Sequence, residues 1–332
     1  MTAKLKNPFL LAGFHSKAYF CDREQEMETL FDHFNNDRNV MLYAWRRIGK
    51  TALIEYFLTR LEQEKQAHTL YIDLMATKDM KSAIEQITEA VYNKFGKTKS
   101  GFSAAFQRLL SQIGMSLSYD PETGLPTFTI ANQSTGKAEH TLNELGSFLK
   151  DQKKQVIIAI DEFQKVSEYT DMDGEAVFRS WTQQYPTLRF IFSGSHRHLM
   201  ASMFLEKNRP FYKSTQLLQL NPIALGSYQK FIQTHFTKAA KTISNDLIAE
   251  IYEWSRGQTY TIQLICNKLY GSYDQVNTDR INKTYDEIIA QEAPVLVNYS
   301  NLLTHKQWDV LTAVAREGLV NNPHSQSFIS KN

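Results

Sequence analysis

Gly49, Lys50 and Thr51 stand in a row, and much further along the chain Asp161 and Glu162 stand side by side. A glycine, a cation and a hydroxyl at the close of Trp45-Arg46-Arg47-Ile48 suit one chemical task, gripping a polyphosphate chain. Backbone amides of Arg46, Arg47, Ile48, Gly49, Lys50 and Thr51, running on into Ala52, would wrap the β-phosphate. The N-terminus of the following helix would add its partial positive charge. Lys50 would reach the β- and γ-phosphates as a point charge, and Thr51 would ligate Mg2+ through its hydroxyl. A side chain at position 49 would hold the backbone away from phosphate. Asp161 would join the Mg2+ shell, and Glu162 would polarise an attacking water as general base. The joint pattern is far more specific than Gly-Lys-Thr alone.

Further polar groups occur in "FSGSHRH". Ser193 or Ser195 is placed to bond the γ-phosphate or the attacking water, with Arg197 as a charge-stabilising arginine. His196 and His198 stand two apart, off a common helical face, and read as a solvated loop rather than metal ligands. Cys21 and Cys266 lie far apart and read as small buried hydrophobes.

Such groups need a strand to deliver the loop and a helix to receive it. "NVMLYAW" (39–45) is a short apolar run, and after the loop Leu53, Ile54, Phe57, Leu58 and Leu61 recur at helical spacing. Ala44 occupies the position where phosphate loops usually begin with glycine. At a strand end with ordinary dihedrals an alanine costs little. Further strands are expected at 68–74, 155–163, 188–195 and 216–223, and an amphipathic helix at 80–95. Nearly continuous apolar strands alternating with helices predict an α/β domain with a parallel sheet. Residues 115–130 break the rhythm with two alternating runs around Asp120-Pro121-Glu122-Thr123-Gly124, an antiparallel hairpin signal. After Pro222 only helices follow. Ser244 or Asn245 would cap one and Gly257 would close it, while Pro294 marks a boundary before a last amphipathic helix. The expected domains are 1–222, with the hairpin inserted, a helical domain at 223–293, and a third unit at 294–332.

The bulk composition fits this reading. With 332 residues, 42% hydrophobic and 22% charged, the chain can bury a core in two or three domains. A formal net charge of +2 excludes a bulk nucleic-acid coat while leaving room for a local basic face. No run of about 18 apolar residues suggests a membrane span, and the N-terminus lacks a signal-peptide pattern. Two unpaired cysteines fit a reducing cytoplasm.

Taken together, these residues resemble the archaeal-type P-loop ATPases of the STAND and AAA+ groups. "AWRRIGKTAL" matches the phosphate loop except at Ala44, and "IIAIDEFQKV" matches the second acidic motif. "YFCDREQEMETL" (19–30) is similar to an N-terminal box near adenine, with Arg23 and Glu24 matching and Cys21 and Asp22 where glycine is common. "FIFSGSHRHLM" matches a sensor strand, and the resemblance favours Ser193 as its sensor. "SRGQTYTIQLICNKLY" (255–270) resembles the lid helix, with Thr259 in place of a proline. The resemblance implies a P-loop NTPase (AAA+-like) parallel sheet core, an all-helical lid and a partial winged-helix segment. For that last unit "LTHKQWDVLTAVAREG" and "SQSFISKN" look like the first two helices, with no recognition helix or wing following.

The expected activity is Mg2+-dependent binding and slow hydrolysis of ATP, cycling to ADP as a conformational switch. Two other readings stand beside it. One is a nucleotide-gated binding module, acting through a protein partner or self-association, without significant autonomous hydrolysis. The other is a DNA-associated ATPase helper, drawing on Arg46, Arg47, Lys97 and Lys99. A GTPase is disfavoured because no Asn-Lys-x-Asp motif follows the acidic strand. No second-substrate pocket of a metabolic kinase is readable.

Overall fold

The computed structural model describes residues 5–98, 101–119, 121–122, 126–130, 135–318, 320 and 322–331. Lys99 and the hairpin-tip residues Asp120, Thr123 and Gly124 lie outside the described residues. In chain order come α1 (Glu24–Asn35), β1 (Val40–Ala44), α2 (Lys50–Gln63), β2 (His68–Asp73), α3 (Met80–Val91) and α4 (Ala104–Ile113). Next are β3 (Met115–Tyr119), β4 (Pro126–Ile130), α5 (Thr135–Lys150), β5 (Val156–Asp161), α6 (Gly174–Gln184), β6 (Arg189–Gly194), α7 (Arg197–Leu205) and β7 (Gln216–Leu220). The rest is helical: α8 (Leu225–Lys238), α9 (Asn245–Trp254), α10 (Thr259–Ser272), α11 (Thr278–Leu302), α12 (His305–Glu317) and α13 (Gln326–Lys331).

Five strands form one sheet in the order β2-β5-β6-β1-β7, and every neighbouring pair is parallel. The interior strands β5 and β6 are buried at every position. That follows from helices covering both faces, which is why these strands read as continuous apolar runs rather than alternations. The period of two still sorts the residues. Ile157 and Ala159 pack with Leu53, Phe57 and α1's Leu30 on one face. Ile158 and Ile160 pack with Trp181, Phe190 and the helices α3 to α7 on the other. The expected helical stripe of α2 is therefore its sheet-facing side.

The lid region has its own core of Tyr228, Ile232, Phe236, Ile251, Ile265 and Cys266. Phe9 from the N-terminal segment completes it, held by reciprocal bonds: Asn7 Nδ2 donates to the Asn267 carbonyl (2.8 Å) and Asn267 Nδ2 to the Phe9 carbonyl (2.7 Å). A phenylalanine so buried contributes about 1.5–3 kcal/mol. Among the described residues the chain thus runs from the lid at Asn7 and Phe9 to the sheet domain and back.

Strands β3 and β4 pair antiparallel, Met115 opposite Ile130 and Tyr119 opposite Pro126, as the alternating runs implied. Two expectations change. The helix expected over 80–95 stops at Val91 and continues as a wider π-type turn, Tyr92–Gly96. Pro294 does not end a helix: α11 runs through it to Leu302, and the break comes at Thr304, whose hydroxyl accepts from Gln307 N–H in a capping box. A proline deletes one helical donor, but twenty-odd other residues carry the helix past it. Among the described residues no helix is long and apolar enough to cross a membrane.

Candidate nucleotide-binding site

β1 delivers the loop and α2 receives it. Ala44 is fully buried and paired with Leu220 as an ordinary strand residue, so the missing glycine is not felt by the loop. The chain then turns outward. Trp45, Arg46 and Arg47 are exposed, and Ile48 dips back into the core as an anchor. Arg47 (φ 64°) and Gly49 (φ 95°) both take left-handed backbone, a conformation that favours glycine, and Gly49 caps the start of α2. The orphan amides of the helix N-terminus therefore open beside Gly49, Lys50, Thr51 and Ala52.

The acidic strand meets this loop directly. Lys50 Nζ is ion-paired with Asp161 Oδ1, and Thr51 Oγ1 donates to Asp161 Oδ2 at 2.9 Å. Ser193 Oγ (2.5 Å) and the Glu162 N–H (2.9 Å) also donate to Asp161 Oδ1. Burial pushes the Asp161 carboxyl up, but the Lys50 charge and these hydrogen bonds outweigh it and hold it below the usual carboxylate range. A further donor was not anticipated: the Tyr71 hydroxyl of β2 reaches Asp161 Oδ2 at 3.0 Å. Burial, then the Asp161 charge, pushes that phenol up, so it stays a donor. In sequence Tyr71 is one aromatic in an apolar strand, and only the register of β2 beside β5 sets it near Asp161.

Glu162 occupies left-handed backbone (φ 52°, ψ 38°), uncommon for a non-glycine residue and concentrated at functional sites. Its Oε2 accepts from Ser195 Oγ at 2.9 Å and from Gln164 Nε2, while Oε1 lies 3.9 Å from Lys50 Nζ. Gly194 makes this possible, because a Cβ there would stand 2.2 Å from Gln164 Oε1. The two serines thus divide the acids. Ser193, with no exposure, serves Asp161 and accepts from Lys50 at 3.3 Å, whereas Ser195 serves Glu162 and opens to the cleft.

That cleft has a volume of about 460 Å3, within the range of small-molecule sites. It is lined by Arg46 to Ala52, Glu162 and Ser195, together with apolar groups including Leu10, Phe14, Phe20 and Ile223. Arg23 also lines it, with Nη2 donating to the Ile48 carbonyl (3.2 Å) and Nη1 to Glu26 (2.6 Å). The backbone path left open at Cys21-Asp22 is left-handed at Asp22 (φ 58°) and Arg23 (φ 77°). Aspartate tolerates this conformation, and Asp22 Oδ1 accepts from the Arg23 N–H (2.8 Å). Arg197 does not line the cleft. Its guanidinium lies 4.7 Å from the Trp45 ring centroid and 5.8 Å from that of Tyr43.

The lid touches the loop. Thr259 Oγ1 donates to the Ile48 carbonyl (3.0 Å), the Tyr260 N–H to the Arg47 carbonyl (3.0 Å), and Arg47 stacks on Tyr260 at 4.5 Å. Thr259 therefore does by side-chain contact what the lid turn's absent proline could not. For a divalent cation, the Thr51 hydroxyl and Asp161 carboxylate, 2.9 Å apart, are hard oxygen donors of the kind Mg2+ accepts beside phosphate oxygens and water. The residues present fit that ion.

Comparison with known proteins bears on the fold and the family. The chain is similar in structure to a Walker-type ATPase of Pyrococcus abyssi, with a TM-score of 0.65 at 19% identity over 93% of this chain and 83% of that one. It is also similar to the Orc1 protein of Aeropyrum pernix, solved in complex with DNA (0.58, 14%, 98% and 80%). The ORC2 protein of the same organism, solved in ADPNP-ADP complexes, follows (0.52, 15%, 80% and 67%). At such identities these likenesses show the fold. None of the curated proteins matches the chain. Residues 295–332 match a family described as "probable winged helix domain". Residues 20–265 match the family described as an ATPase domain predominantly from Archaea, and on that span, which holds the phosphate loop and the acidic pair, the chain belongs to this family of P-loop ATPases.

Proposed function

We propose that this protein binds Mg-ATP in the cleft, hydrolyses it slowly to ADP, and uses the difference between the two as a conformational switch. The observation that carries the reading is the Glu162 carboxylate, held by Ser195 and Gln164 at the cleft and 3.9 Å from Lys50. A general base must be fixed within reach of the water it polarises, and this one is fixed from two sides. Lys50 would give part of its pairing with Asp161 to the β- and γ-phosphates. Thr51 and Asp161 would hold Mg2+, which when bound neutralises charge on the phosphates.

Slow turnover is supported by the arginines. Those lining the cleft are Arg23, Arg46 and Arg47, of which Arg23 is tied to Ile48 and Glu26 and Arg47 is stacked on Tyr260. A transition-state arginine is worth on the order of 10³–10⁵ in rate. Unassisted turnover is therefore expected on the order of 10⁻³ s⁻¹ or below. The switch reading is supported by Thr259 and Tyr260, because any change in the Arg47–Ile48 backbone is felt at the first turn of α10. Two free buried cysteines fit a reducing cytoplasm.

The test is Mg-ATP binding and turnover in wild type, Lys50→Ala and Glu162→Gln. Expected are loss of binding in the first variant and binding without turnover in the second. Wild type that neither binds nor hydrolyses ATP overturns the proposal. A DNA-associated role is a second reading, favoured by the winged-helix match. It requires an affinity for duplex DNA that falls steeply with salt, as phosphate contacts dictate.

A further inference from the structure

Tyr71 has no task in the hydrolysis proposed above, yet its hydroxyl donates to Asp161 Oδ2 at 3.0 Å. The sheet sets it there. β2 runs parallel to β5 with Tyr71 two positions before the pair Asp73–Asp161, and the Tyr71 ring packs on the cluster that holds Leu53 and Phe57. Its place is therefore fixed by strand register rather than by the phosphate loop.

A carboxylate offers about four lone-pair positions. Asp161 accepts from five donors: Lys50 Nζ, Ser193 Oγ and the Glu162 N–H on Oδ1, and Thr51 Oγ1 and the Tyr71 hydroxyl on Oδ2. The protein itself thus fills the whole acceptor capacity of this acid. The two oxygens differ in what they can release. When Lys50 turns to phosphates, Oδ1 still keeps a fully buried serine and a backbone amide. Oδ2 lies on the side of Thr51, whose own oxygen would ligate Mg2+, so Oδ2 is the atom that would meet the ion's shell. Thr51 cannot leave without removing a ligand. Tyr71 can, because it is only half-buried and a released hydroxyl finds water.

We infer that Tyr71 sets the Mg2+ requirement of the site: its hydroxyl competes with the cation's shell for Asp161 Oδ2 and gives up that bond when Mg-ATP binds. This rests on the reading that Mg-ATP fills the cleft, and it adds what decides how much free Mg2+ the site needs. Tyr71 is a positioning residue of an unusual sign. A partner that merely orients a ligating carboxylate strengthens the metal site, and its loss typically weakens metal binding by ~10–100-fold. Asp161 needs no such help from Tyr71, since Ser193 and the Glu162 N–H already fix its other oxygen. Loss of the Tyr71 hydroxyl therefore tightens the site.

The experiment uses Tyr71→Phe, which keeps the ring and its packing and deletes only the hydroxyl. ATP affinity of wild type and variant is measured over a series of free Mg2+ concentrations and again in EDTA. The Mg2+ concentration of half-maximal effect is expected to fall by ~10-fold in the variant, about what one hydrogen bond to a charged group is worth when it no longer has to be broken. Affinity in EDTA should change little, because the phosphate loop is untouched. A half-maximal concentration that stays the same or rises overturns the inference, and a rise is the result an orienting role alone would give. A second readout is taken on the wild type and stands even if the variant fails to fold. With tyrosine isotope-labelled at Cζ, one nuclear magnetic resonance signal should move toward that of solvent-exposed tyrosine when Mg2+ joins the ATP complex, and not when ATP is added in EDTA. A spectrum in which no tyrosine signal answers to Mg2+ overturns the inference as well. A wild type that binds ATP in neither condition overturns the nucleotide reading and this inference with it, whereas ATP binding whose Mg2+ requirement ignores Tyr71 overturns the inference alone.

Discussion

Ser193 and Ser195 are two positions apart on one strand end, and their hydroxyls meet different carboxylates. Ser195→Ala should lower turnover by about 10–100-fold with ATP affinity nearly unchanged, because it frees the Glu162 carboxylate without touching the phosphate loop. Ser193→Ala should instead destabilise the fold by about 1–2 kcal/mol, since Asp161 loses a buried donor; steady-state kinetics and chemical denaturation separate the two. Sequence spacing could name both serines but not divide them. Side chains alternate along a strand, and only the turn after Gly194 re-aims the second one. Tyr71 was illegible for a related reason: it is an ordinary strand residue, and its role comes from the distant segment set opposite it. Asp161 yields a pH prediction. Its folded carboxyl lies below the unfolded value of ~3.9, so its stabilising contribution is present above that value and lost as pH falls through the folded one. In Lys50→Ala burial is left without its main opponent and the carboxyl rises, which reverses the sign. The stability gap between wild type and Lys50→Ala should be about 3–5 kcal/mol near neutral pH and shrink toward pH 4, as read from denaturation at a series of pH values.

Among the elements, β1, β5 and β6 were legible because a strand buried on both faces must be apolar throughout. The hairpin was legible from its alternation. Helix α4 (Ala104–Ile113) was not anticipated; its cap, Ser103 Oγ accepting from the Phe106 N–H, follows segments without a clear periodic frame. Pro294 misled because a proline inside a long helix resembles one at its end, and the difference lies in whether neighbouring turns stay hydrogen-bonded. For the lid, the informative element is the start of α10. Thr259→Val keeps the shape of the side chain and deletes the donor to the Ile48 carbonyl. The variant should fold and bind ATP, yet the added hydrogen-exchange protection of α10 amides on ATP binding should be largely lost. Unchanged protection would show that the lid does not sense the loop through this contact.

At the scale of the whole molecule, the cleft draws on the sheet domain, the N-terminal segment and the lid at once. A ligand bound there stabilises all three: at a hundred times Kd the gain is about 2.7 kcal/mol. Melting of the wild type should therefore shift upward by several degrees in saturating Mg-ATP, at ~2–4 °C per kcal/mol for a chain of this class. Lys50→Ala should show no such shift by calorimetry. The strand order carries one more consequence, which concerns time rather than energy. β1, which holds the phosphate loop, pairs only with β6 and β7, strands that lie ~145 and ~170 residues further along the chain. At roughly 5–20 residues per second on a ribosome, β1 waits on the order of 10–30 s for its first partner. During that interval Val40, Met41 and Leu42 have no neighbouring strand to cover them. The nascent chain is thus exposed to aggregation at the strand that leads into the Trp45–Gly49 loop, and the sheet closes only once its last strand has been made.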